Sequence, residues 1–466
     1  MVEAPSTLSF FGAAGTVTGS KYLIRVGRSQ ILLDAGLFQG LKELRLRNWA
    51  KPPFNPSSID AVVLSHAHID HSGYLPSLVR AGFRGKIFCT SGTKDLLKVM
   101  LLDAAHLQEE EAEFANRYGY SKHKPALPLY TVEDAEKTLK YLKVVEYHKV
   151  FAVAKGVTGS FWRAGHILGS AIVQLHIGEL NPLTLVFSGD LGRWNRPILR
   201  DPELVPEADI LLVESTYGNR THPPNPEKEL ARIINETAQR RGVLLIPAFA
   251  VGRTQELIWT IRQLEETNQI PTLPVYVDSP MAINVSDIYC QHPEDHDLDM
   301  KTLMEEHRCP LCCKQYHLVR TPQESKELNR LSGPMIIISA SGMATGGRIL
   351  HHLKLRLPDP KTTVLLAGFQ AAGTRGRMLQ EGAKTVQIHG QEVAVNAKIE
   401  RLDGLSAHAD QNEILKWLSG FKKPPRTVYI VHGEPSSAEH LKSLIQGRLS
   451  WNVKVALDQE TIQLVK

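Results

Sequence analysis

The spacing of apolar residues predicts short β-strands towards both ends of the chain. Residues 21–26 and 30–34 flank a Gly-Arg-Ser turn, which is a hairpin signal. Residues 61–65 form an apolar, β-branched run that indicates a buried strand and leads directly into a histidine-rich segment. Further strands are predicted within 159–190, at 210–214 and at 427–431. These segments indicate a domain to which both ends of the chain contribute.

The pattern changes in the middle of the chain. From about residue 221, helical segments such as 227–240 and 254–269 alternate with apolar strands such as 243–248. Strands that alternate with helices favour a parallel sheet with both faces covered. We therefore predict an α/β protein in which a layered αββα domain is interrupted by an inserted α/β domain. The predicted segments are 1–207 and 391–466 for the first domain and 208–390 for the inserted one.

The composition is that of a soluble globular protein. The chain has 466 residues, of which 42% are hydrophobic and 22% are charged. Its formal net charge of +5 permits an anionic substrate without requiring one. No apolar run approaches the roughly 20 residues needed to cross a bilayer, and the first residues show no signal-peptide pattern. We predict a cytoplasmic protein that does not associate with membranes.

The five cysteines are too few and too scattered for a disulfide scaffold, and they indicate cytosolic thiols. One segment resembles a zinc knuckle, because it contains Cys309, Cys312 and Cys313 with His307 and His317 nearby. A structural zinc site normally has two paired ligand groups at defined spacing, and this segment has one pair with a crowded third cysteine. We expect reduced thiols in a loop, with a zinc site as the alternative.

The strongest chemical signal is the run that contains His66, His68, Asp70 and His71, directly after the buried strand. Alternating side-chain directions let His66 and His68 point the same way, and imidazoles with a carboxylate are a common zinc ligand set. Asp70 and His71 can reach a second metal beside the first. Two adjacent metals can clamp the attacking and leaving oxygens of a displacement at phosphorus. The alternative is a polar turn with chance histidines.

Other candidate ligands also terminate apolar strands. His166 follows a short strand among small residues, and Asp190 ends an apolar run, where its carboxylate could bridge two cations. Taken singly, His166 could be a buried core histidine and Asp190 a capping residue. Three further residues end apolar strands: Asp34, Glu214 and His432. A further histidine, His408, lies in a loop before the last predicted helix.

These motifs resemble the β-CASP nucleases of the metallo-β-lactamase superfamily. The superfamily's four motifs match Asp34, then His66, His68, Asp70 and His71, then His166, then Asp190. The three motifs particular to β-CASP members match Glu214, His408 and His432. The inserted domain resembles theirs at residues 246–256, 278–282 and 339–348. The resemblance covers nearly the whole chain and favours a bacterial relative of the pre-mRNA 3′-end-processing endonuclease.

The resemblance implies a two-zinc ribonuclease. His66, His68, His166 and Asp190 would hold one zinc ion, and Asp70, His71, His432 and the shared Asp190 the other. Asp34 would orient ligands and the attacking water through hydrogen bonds. The expected catalytic residues are His408, Glu214 and Asp70, with His408 as the proton donor and Glu214 as its partner. The products would carry 5′-phosphate and 3′-hydroxyl ends.

The expected partner is RNA, in single-stranded form, and a homodimer is a further expectation. Arg253 and Arg348 lie beside glycines at loop-to-helix junctions, where cations and backbone amides together could bind phosphates. Ion pairs within the domain are the alternative role for both arginines. Two rival functions remain: a small-molecule metallohydrolase of the same superfamily and a non-catalytic RNA-processing subunit. The first leaves the inserted domain unexplained, and the second is disfavoured because every ligand position is filled.

Overall fold

The computed structural model describes residues 6–119, 121, 123–178 and 182–464. The chain divides into two compact units. Unit 1 comprises Met1–Asn195, Asp201–Thr221 and His408–Lys466, and unit 2 comprises Arg196–Arg200 and His222–Ala407. No helix in the described part of the chain is both long and apolar enough to span a membrane.

Unit 1 contains two seven-stranded sheets. In the first, antiparallel pairing gives way to parallel pairing after the third strand along the chain. In spatial order its strands are Thr461–Gln463, Thr7–Phe10, Tyr22–Val26, Ser29–Leu33, Ala61–Val63, Lys86–Cys89 and Leu142–Val144. Those of the second sheet are Val453–Val455, Thr427–Val431, Ile210–Glu214, Leu183–Phe187, Ala171–Ile177, Val157–Arg163 and Phe151–Ala154.

The two sheets of unit 1 share one apolar core. Alternate residues of the first sheet, such as Tyr22 and Ile24, belong to the same buried cluster as Phe161 and Phe187 of the second. The rings of Tyr22 and Phe187 meet edge to face, with centroids 5.2 Å apart. The other face of the second sheet is covered by apolar residues of the last two helices, including Trp417. The predicted αββα layering is confirmed.

Helices connect the strands of unit 1. Because parallel neighbours in a sheet require crossover connections, helices follow the strands Ala61–Val63 and Lys86–Cys89. Thr90 caps the longest of these helices by accepting a hydrogen bond from the Thr93 amide. The helices are Lys42–Arg47, Ile69–Ser72, Leu75–Arg80, Ser91–Tyr118, Val132–Leu139, Gln411–Leu418 and Pro435–Leu449, with a 3₁₀ turn at Pro56–Ser58.

Unit 2 contains a six-stranded sheet in which every pair is parallel, as the alternating pattern predicted. In spatial order its strands are Gln315–Leu318, Pro274–Val277, Met335–Ser339, Val243–Pro247, Thr363–Leu366 and Lys398–Arg401. The helices are Pro226–Gln239, Arg253–Glu266, Pro280–Cys290, Leu298–Glu305, Pro322–Leu328, Ile349–Arg356 and Arg375–Gln380. A hairpin of Thr385–Ile388 and Gln391–Ala394 and a 3₁₀ turn at Asp403–Leu405 complete the unit.

The limits of the two units lie later in the chain than the predicted 208 and 390. The strand Ile210–Glu214 pairs on both sides with strands of unit 1, so it belongs there rather than to the inserted domain. The strand Lys398–Arg401 pairs with Thr363–Leu366 and therefore extends unit 2. Strand pairing sets both limits, and the pairing partners lie too far along the chain for a local pattern to indicate them.

The expectation of reduced thiols at Cys309 and Cys312 is wrong. The two residues form a disulfide, because a tight turn brings their Cα atoms to 5.6 Å, within the normal range for such a bond. Cys313 is buried, and its thiol donates to the carbonyl of Ile258. The segment before these cysteines contains a short helix, Leu298–Glu305, which Asp297 caps.

Candidate metal centre

Seven candidate ligands meet in unit 1, where strands of both sheets end. Four of them follow the strand Ala61–Val63, and the others follow Val157–Arg163, Leu183–Phe187 and Thr427–Val431. Their ligand atoms form two groups, in each of which all atoms lie within 4.8 Å of one another. The first group is His66, His68, His166 and Asp190, and the second is Asp70, His71 and His432.

The first group has the dimensions of a tetrahedral zinc site. His68 Nδ1 lies 3.1 Å from His66 Nε2 and 3.3 Å from His166 Nε2. Asp190 Oδ2 lies 3.4 Å from His66 Nε2 and 3.6 Å from His166 Nε2. The ligand atoms of a tetrahedral site with zinc bonds of about 2.0–2.1 Å are about 3.3–3.4 Å apart. The spacing of these four ligand atoms is therefore compatible with one tetrahedral metal ion.

The second group is less regular, and Asp190 joins it to the first. His71 Nε2 lies 3.0 Å from His432 Nε2 and 3.8 Å from Asp70 Oδ2. The second oxygen of Asp190, Oδ1, lies 3.3 Å from His71 Nε2. Because its two oxygens face different groups, the Asp190 carboxylate lies between the two ligand groups.

Unsatisfied polar atoms also indicate a cation. Asp190 Oδ1 and His166 Nδ1 are buried, and neither has a hydrogen-bond partner among the described residues. Leaving such atoms unpaired costs about 1–3 kcal/mol each, and more for a charged group. A cation beside the Asp190 carboxylate would satisfy that oxygen, so the residues present fit a metal centre.

The protonation of the first group suits metal binding. Burial, together with the neighbouring ring of His66, lowers the pKa of His68 to about 3. Burial is also the main reason why the pKa values of His66 and His166 lie below the usual range. These imidazoles are therefore neutral at physiological pH, and the neutral ring is the form that binds metals.

The carboxylates make the second group favourable for positive charge. Burial raises the pKa of Asp70, but His71 and His432 outweigh burial and hold it below its ordinary value. Burial lowers the pKa of His71, yet Asp190, Asp34 and Asp70 together raise it well above the usual value. The negative charge that stabilises a proton on His71 would equally stabilise a metal cation bound there instead of the proton.

Asp34 lies behind the candidate ligands and contacts His71. It is fully buried, and its Oδ2 lies 2.6 Å from His71 Nδ1. The same carboxylate accepts hydrogen bonds from the Ser65 amide at 2.8 Å, the Ser65 hydroxyl at 2.9 Å and the Ser20 hydroxyl at 3.1 Å. A carboxylate that accepts the Nδ1 proton of His71 leaves Nε2 as the atom for a metal.

Two further residues orient ligands and were missed in the sequence. Ser65 Oγ lies 3.0 Å from His66 Nδ1, and Thr216 Oγ1 lies 3.1 Å from His432 Nδ1. Ser65 directly precedes the histidine run, so its position was the available signal. Thr216 lies 216 residues from its partner, and a single threonine two positions after a strand carries no such signal.

The predicted pair of Glu214 and His408 is brought together beside this centre. His408 Nδ1 lies 3.1 Å from Glu214 Oε2, and Glu214 is fully buried, whereas 20% of the His408 side chain is exposed. Burial lowers the pKa of His408, but the carboxylates of Glu214 and Asp190 outweigh burial and raise it to about 9. The backbone amide of Leu191 donates to the other oxygen of Glu214 at 2.6 Å.

Two glycines allow the ligand-bearing loops to pack closely. A Cβ on Gly36 would lie 1.6 Å from the carbonyl oxygen of Asp70, and one on Gly192 would lie 2.0 Å from that of Gly165. Gly165 directly precedes His166. Both positions therefore require glycine because backbone carrying a ligand occupies the space of a side chain.

Arg253 and Arg348, the predicted phosphate-binding residues, lie in unit 2 and form ion pairs there. The guanidinium of Arg253 lies 2.9 Å from Glu256, and 8% of the residue is exposed. Arg348 pairs with the buried Asp278 at 2.7 Å and donates to two backbone carbonyls. These contacts favour the alternative role, ion pairing within the domain, although phosphate binding by either arginine stays a prediction.

Known protein families match nearly the whole chain. Residues 29–245 match the beta-lactamase superfamily domain, 254–379 the Beta-Casp domain, and 392–456 the Zn-dependent metallo-hydrolase RNA specificity domain. Ribonuclease TTHA0252 of Thermus thermophilus is 38% identical over 437 residues, which are 93% of this chain and 95% of that protein. The chain belongs to the β-CASP family of the metallo-β-lactamase superfamily. The resemblance seen in the motifs is thereby confirmed.

Other relatives of this β-CASP chain come from archaea. Transcription termination factor FttA of Methanosarcina mazei is 30% identical over 467 residues, which are 97% of this chain and 71% of that protein. A solved structure of a protein of unknown function from Enterococcus faecalis is similar in fold, with a TM-score of 0.55 and 13% identity. That similarity covers 99% of this chain and 100% of the other, and at this identity it supports the fold alone.

Proposed function

We propose that this β-CASP chain is a two-zinc ribonuclease that hydrolyses phosphodiester bonds of single-stranded RNA in the cytoplasm. The main support is the centre itself, in which Asp190 belongs to one ligand group, contacts His71 of the other and lies beside the His408–Glu214 pair. The match to an RNA specificity domain at 392–456 and the relative named as a ribonuclease support RNA as the substrate.

In the proposed mechanism, each of the two ligand groups would hold one zinc ion. Zinc held there would supply Lewis acidity, which lowers the pKa of a nearby water molecule and offsets negative charge on the phosphoryl oxygens. Asp70 and Asp190 contribute the carboxylates, and Asp34 orients the ring of His71. The protein's own task is therefore to hold these groups in a fixed arrangement, so that little reorganisation accompanies the reaction.

We assign the leaving-group proton to His408. Its Nδ1 donates to Glu214, so the transfer is assigned to Nε2, and its partial exposure gives a substrate access to the ring. The Glu214 carboxylate stabilises the protonated ring and fixes its orientation, as a carboxylate does for other catalytic histidines. Protonation of the departing 3′-oxygen leaves a 3′-hydroxyl on one product and a 5′-phosphate on the other.

One experiment tests metal content and activity together. Metal analysis of the purified protein should give two zinc ions per chain, and a 5′-labelled RNA should be cut to products with 5′-phosphate ends. DNA of the same sequence, a thioester and a β-lactam are the comparison substrates. Two bound zinc ions without cleavage of RNA would contradict the proposal, and turnover of the thioester or lactam would favour the small-molecule hydrolase. Sedimentation of the same sample tests the expected homodimer.

A further inference from the structure

Residues 38–51, which we call the Trp49 loop, belong to unit 1 and begin next to the segment that carries Asp70 and His71. Just before the loop, the amide of Ala35 donates to the His71 carbonyl at 2.7 Å, and the amide of Leu37 donates to the Ile69 carbonyl at 2.9 Å. The start of the loop is thus hydrogen-bonded to the segment that carries Asp70 and His71. A strand bound at the base of the loop would therefore lie next to the segment that carries Asp70 and His71.

The base of the Trp49 loop is closed by one side chain. Asn48 accepts a hydrogen bond from the Phe38 amide at 2.9 Å and donates to the Phe38 carbonyl at 2.8 Å. The guanidinium of Arg47 lies 4.1 Å from the centre of the Phe38 ring and 2.9 Å from Asp458. The loop is therefore anchored at its base, which limits the entropy that a ligand must overcome to order it.

The remainder of the loop exposes apolar side chains. Its helix, Lys42–Arg47, has no buried residue, although surface helices ordinarily bury an apolar face. Leu41 is 48% exposed, and Leu46 and Trp49 are each 56% exposed. Three large apolar side chains exposed within nine residues of sequence are of the kind that marks a binding surface, and the tryptophan ring offers the largest apolar area of the three.

The loop is also strongly basic. It contains four basic residues and one acidic residue, Glu43. Lys42, Arg45 and Lys51 are exposed, and none of them forms an ion pair within the described part of the chain. Lysine is depleted from the cores of protein–protein interfaces, whereas basic side chains around an exposed aromatic ring are typical of single-strand nucleic-acid binding.

We propose that the Trp49 loop is a binding subsite for the RNA strand that enters or leaves the metal centre. This inference rests on the proposed ribonuclease function and deepens it. Trp49 stacks on a base, and Lys42, Arg45 and Lys51 contact successive phosphates. Stacking and phosphate contacts tolerate any sequence, so the subsite holds the strand without selecting a base.

Two sets of substitutions test the subsite on a 20-nucleotide single-stranded RNA. Trp49→Ala should raise the KM by roughly 5- to 100-fold, the usual effect of losing one base-stacking contact. Replacing Lys42, Arg45 and Lys51 by glutamine should reduce the slope of a plot of log KM against log salt concentration. The expected reduction is up to about 2, because each lost phosphate contact lowers the slope by about 0.7. The ratio of variant to wild-type KM should fall towards one as the RNA is shortened.

Matched controls lie elsewhere on unit 1. Tyr118→Ala removes an aromatic ring of similar exposure, 63%, from the end of a helix. Replacing the exposed Lys140, Lys422 and Lys423 by glutamine changes the charge by the same amount. Both controls should keep the wild-type KM within about twofold, since scattered surface charges contribute only weakly beyond the Debye length.

Binding of a fluorescent single-stranded RNA to the zinc-loaded protein separates this inference from the proposed function. If the wild-type protein binds RNA without cutting it, the proposed function fails, while the loop is supported when Trp49→Ala weakens binding. If the wild-type protein cuts RNA and both loop variants bind and cut like the controls, the subsite is refuted. That second outcome would assign the apolar and basic surface to a protein partner instead.

Discussion

Replacing Asp34 by asparagine should weaken zinc binding without changing a single ligand. Asparagine has the same shape and accepts the positive φ of 56° at this position more readily than most residues. Oδ1 can still accept from the Ser65 amide, which lies 2.8 Å away. The new amide group then faces His71 Nδ1 at 2.6 Å, where the carboxylate had accepted a proton.

Two donors cannot share that contact, so the proton of His71 must move to Nε2. That nitrogen faces His432 and Asp190 and is the candidate ligand atom. Removing hydrogen-bond partners of this kind typically costs 10- to 100-fold in metal affinity. This loss of affinity corresponds to about 1.4–2.8 kcal/mol of binding free energy. We expect it mainly for zinc binding by the group of Asp70, His71 and His432.

The measurement is a competition titration of zinc against a chelator, with stepwise binding constants for wild type and variant. Ser20→Ala is the control, because the Ser20 hydroxyl donates to the same oxygen at 3.1 Å but leaves the His71 contact intact. The control should keep its zinc affinity within a few-fold of wild type. Equal zinc affinities for Asp34→Asn and wild type would refute the assigned role of Asp34.

Three other outcomes are expected. His408→Ala should keep its zinc but cleave RNA about 10²- to 10⁴-fold more slowly, because it lacks the proton donor. His68→Ala should lose zinc and activity together. Loss of zinc from His408→Ala would show instead that His408 is a metal ligand. Gly192→Ala should lower stability by about 1–3 kcal/mol in thermal unfolding and reduce zinc content, because its Cβ would overlap backbone. Gly447→Ala, where a Cβ meets nothing within 4 Å, is the matched control and should not destabilise. Alkylation of the denatured protein should label three cysteines before reduction and all five afterwards, and five before reduction would argue against the disulfide.

Much of the fold follows from local patterns. The alternation of helices and apolar strands after residue 221 predicted a parallel sheet, and unit 2 contains one. The long helix Ser91–Tyr118 begins at a local signal, because the Thr90 side chain caps it. Local patterns did not show that Ile210–Glu214 lies between strands of unit 1, because strand pairing depends on residues more than 200 positions away.

The candidate site divides in the same way. The chemistry of each side chain is a property of the sequence: imidazoles and carboxylates at the ends of buried strands indicated a zinc centre before any contact was known. Their grouping is a property of the tertiary structure. Glu214 and His408 are 194 residues apart, and His71 and His432 are 361 residues apart, so only the tertiary structure brings each pair into contact.

The sequence by itself determined which atoms could bind metal, because ligand type depends on the side chain alone. The tertiary structure decided which atoms face one another, and thereby how Asp190 lies between the two ligand groups. It also decided that Cys309 and Cys312 pair, and that Trp49 and its basic neighbours are exposed. Exposure and contact depend on every element that packs nearby, and no local pattern carries that information.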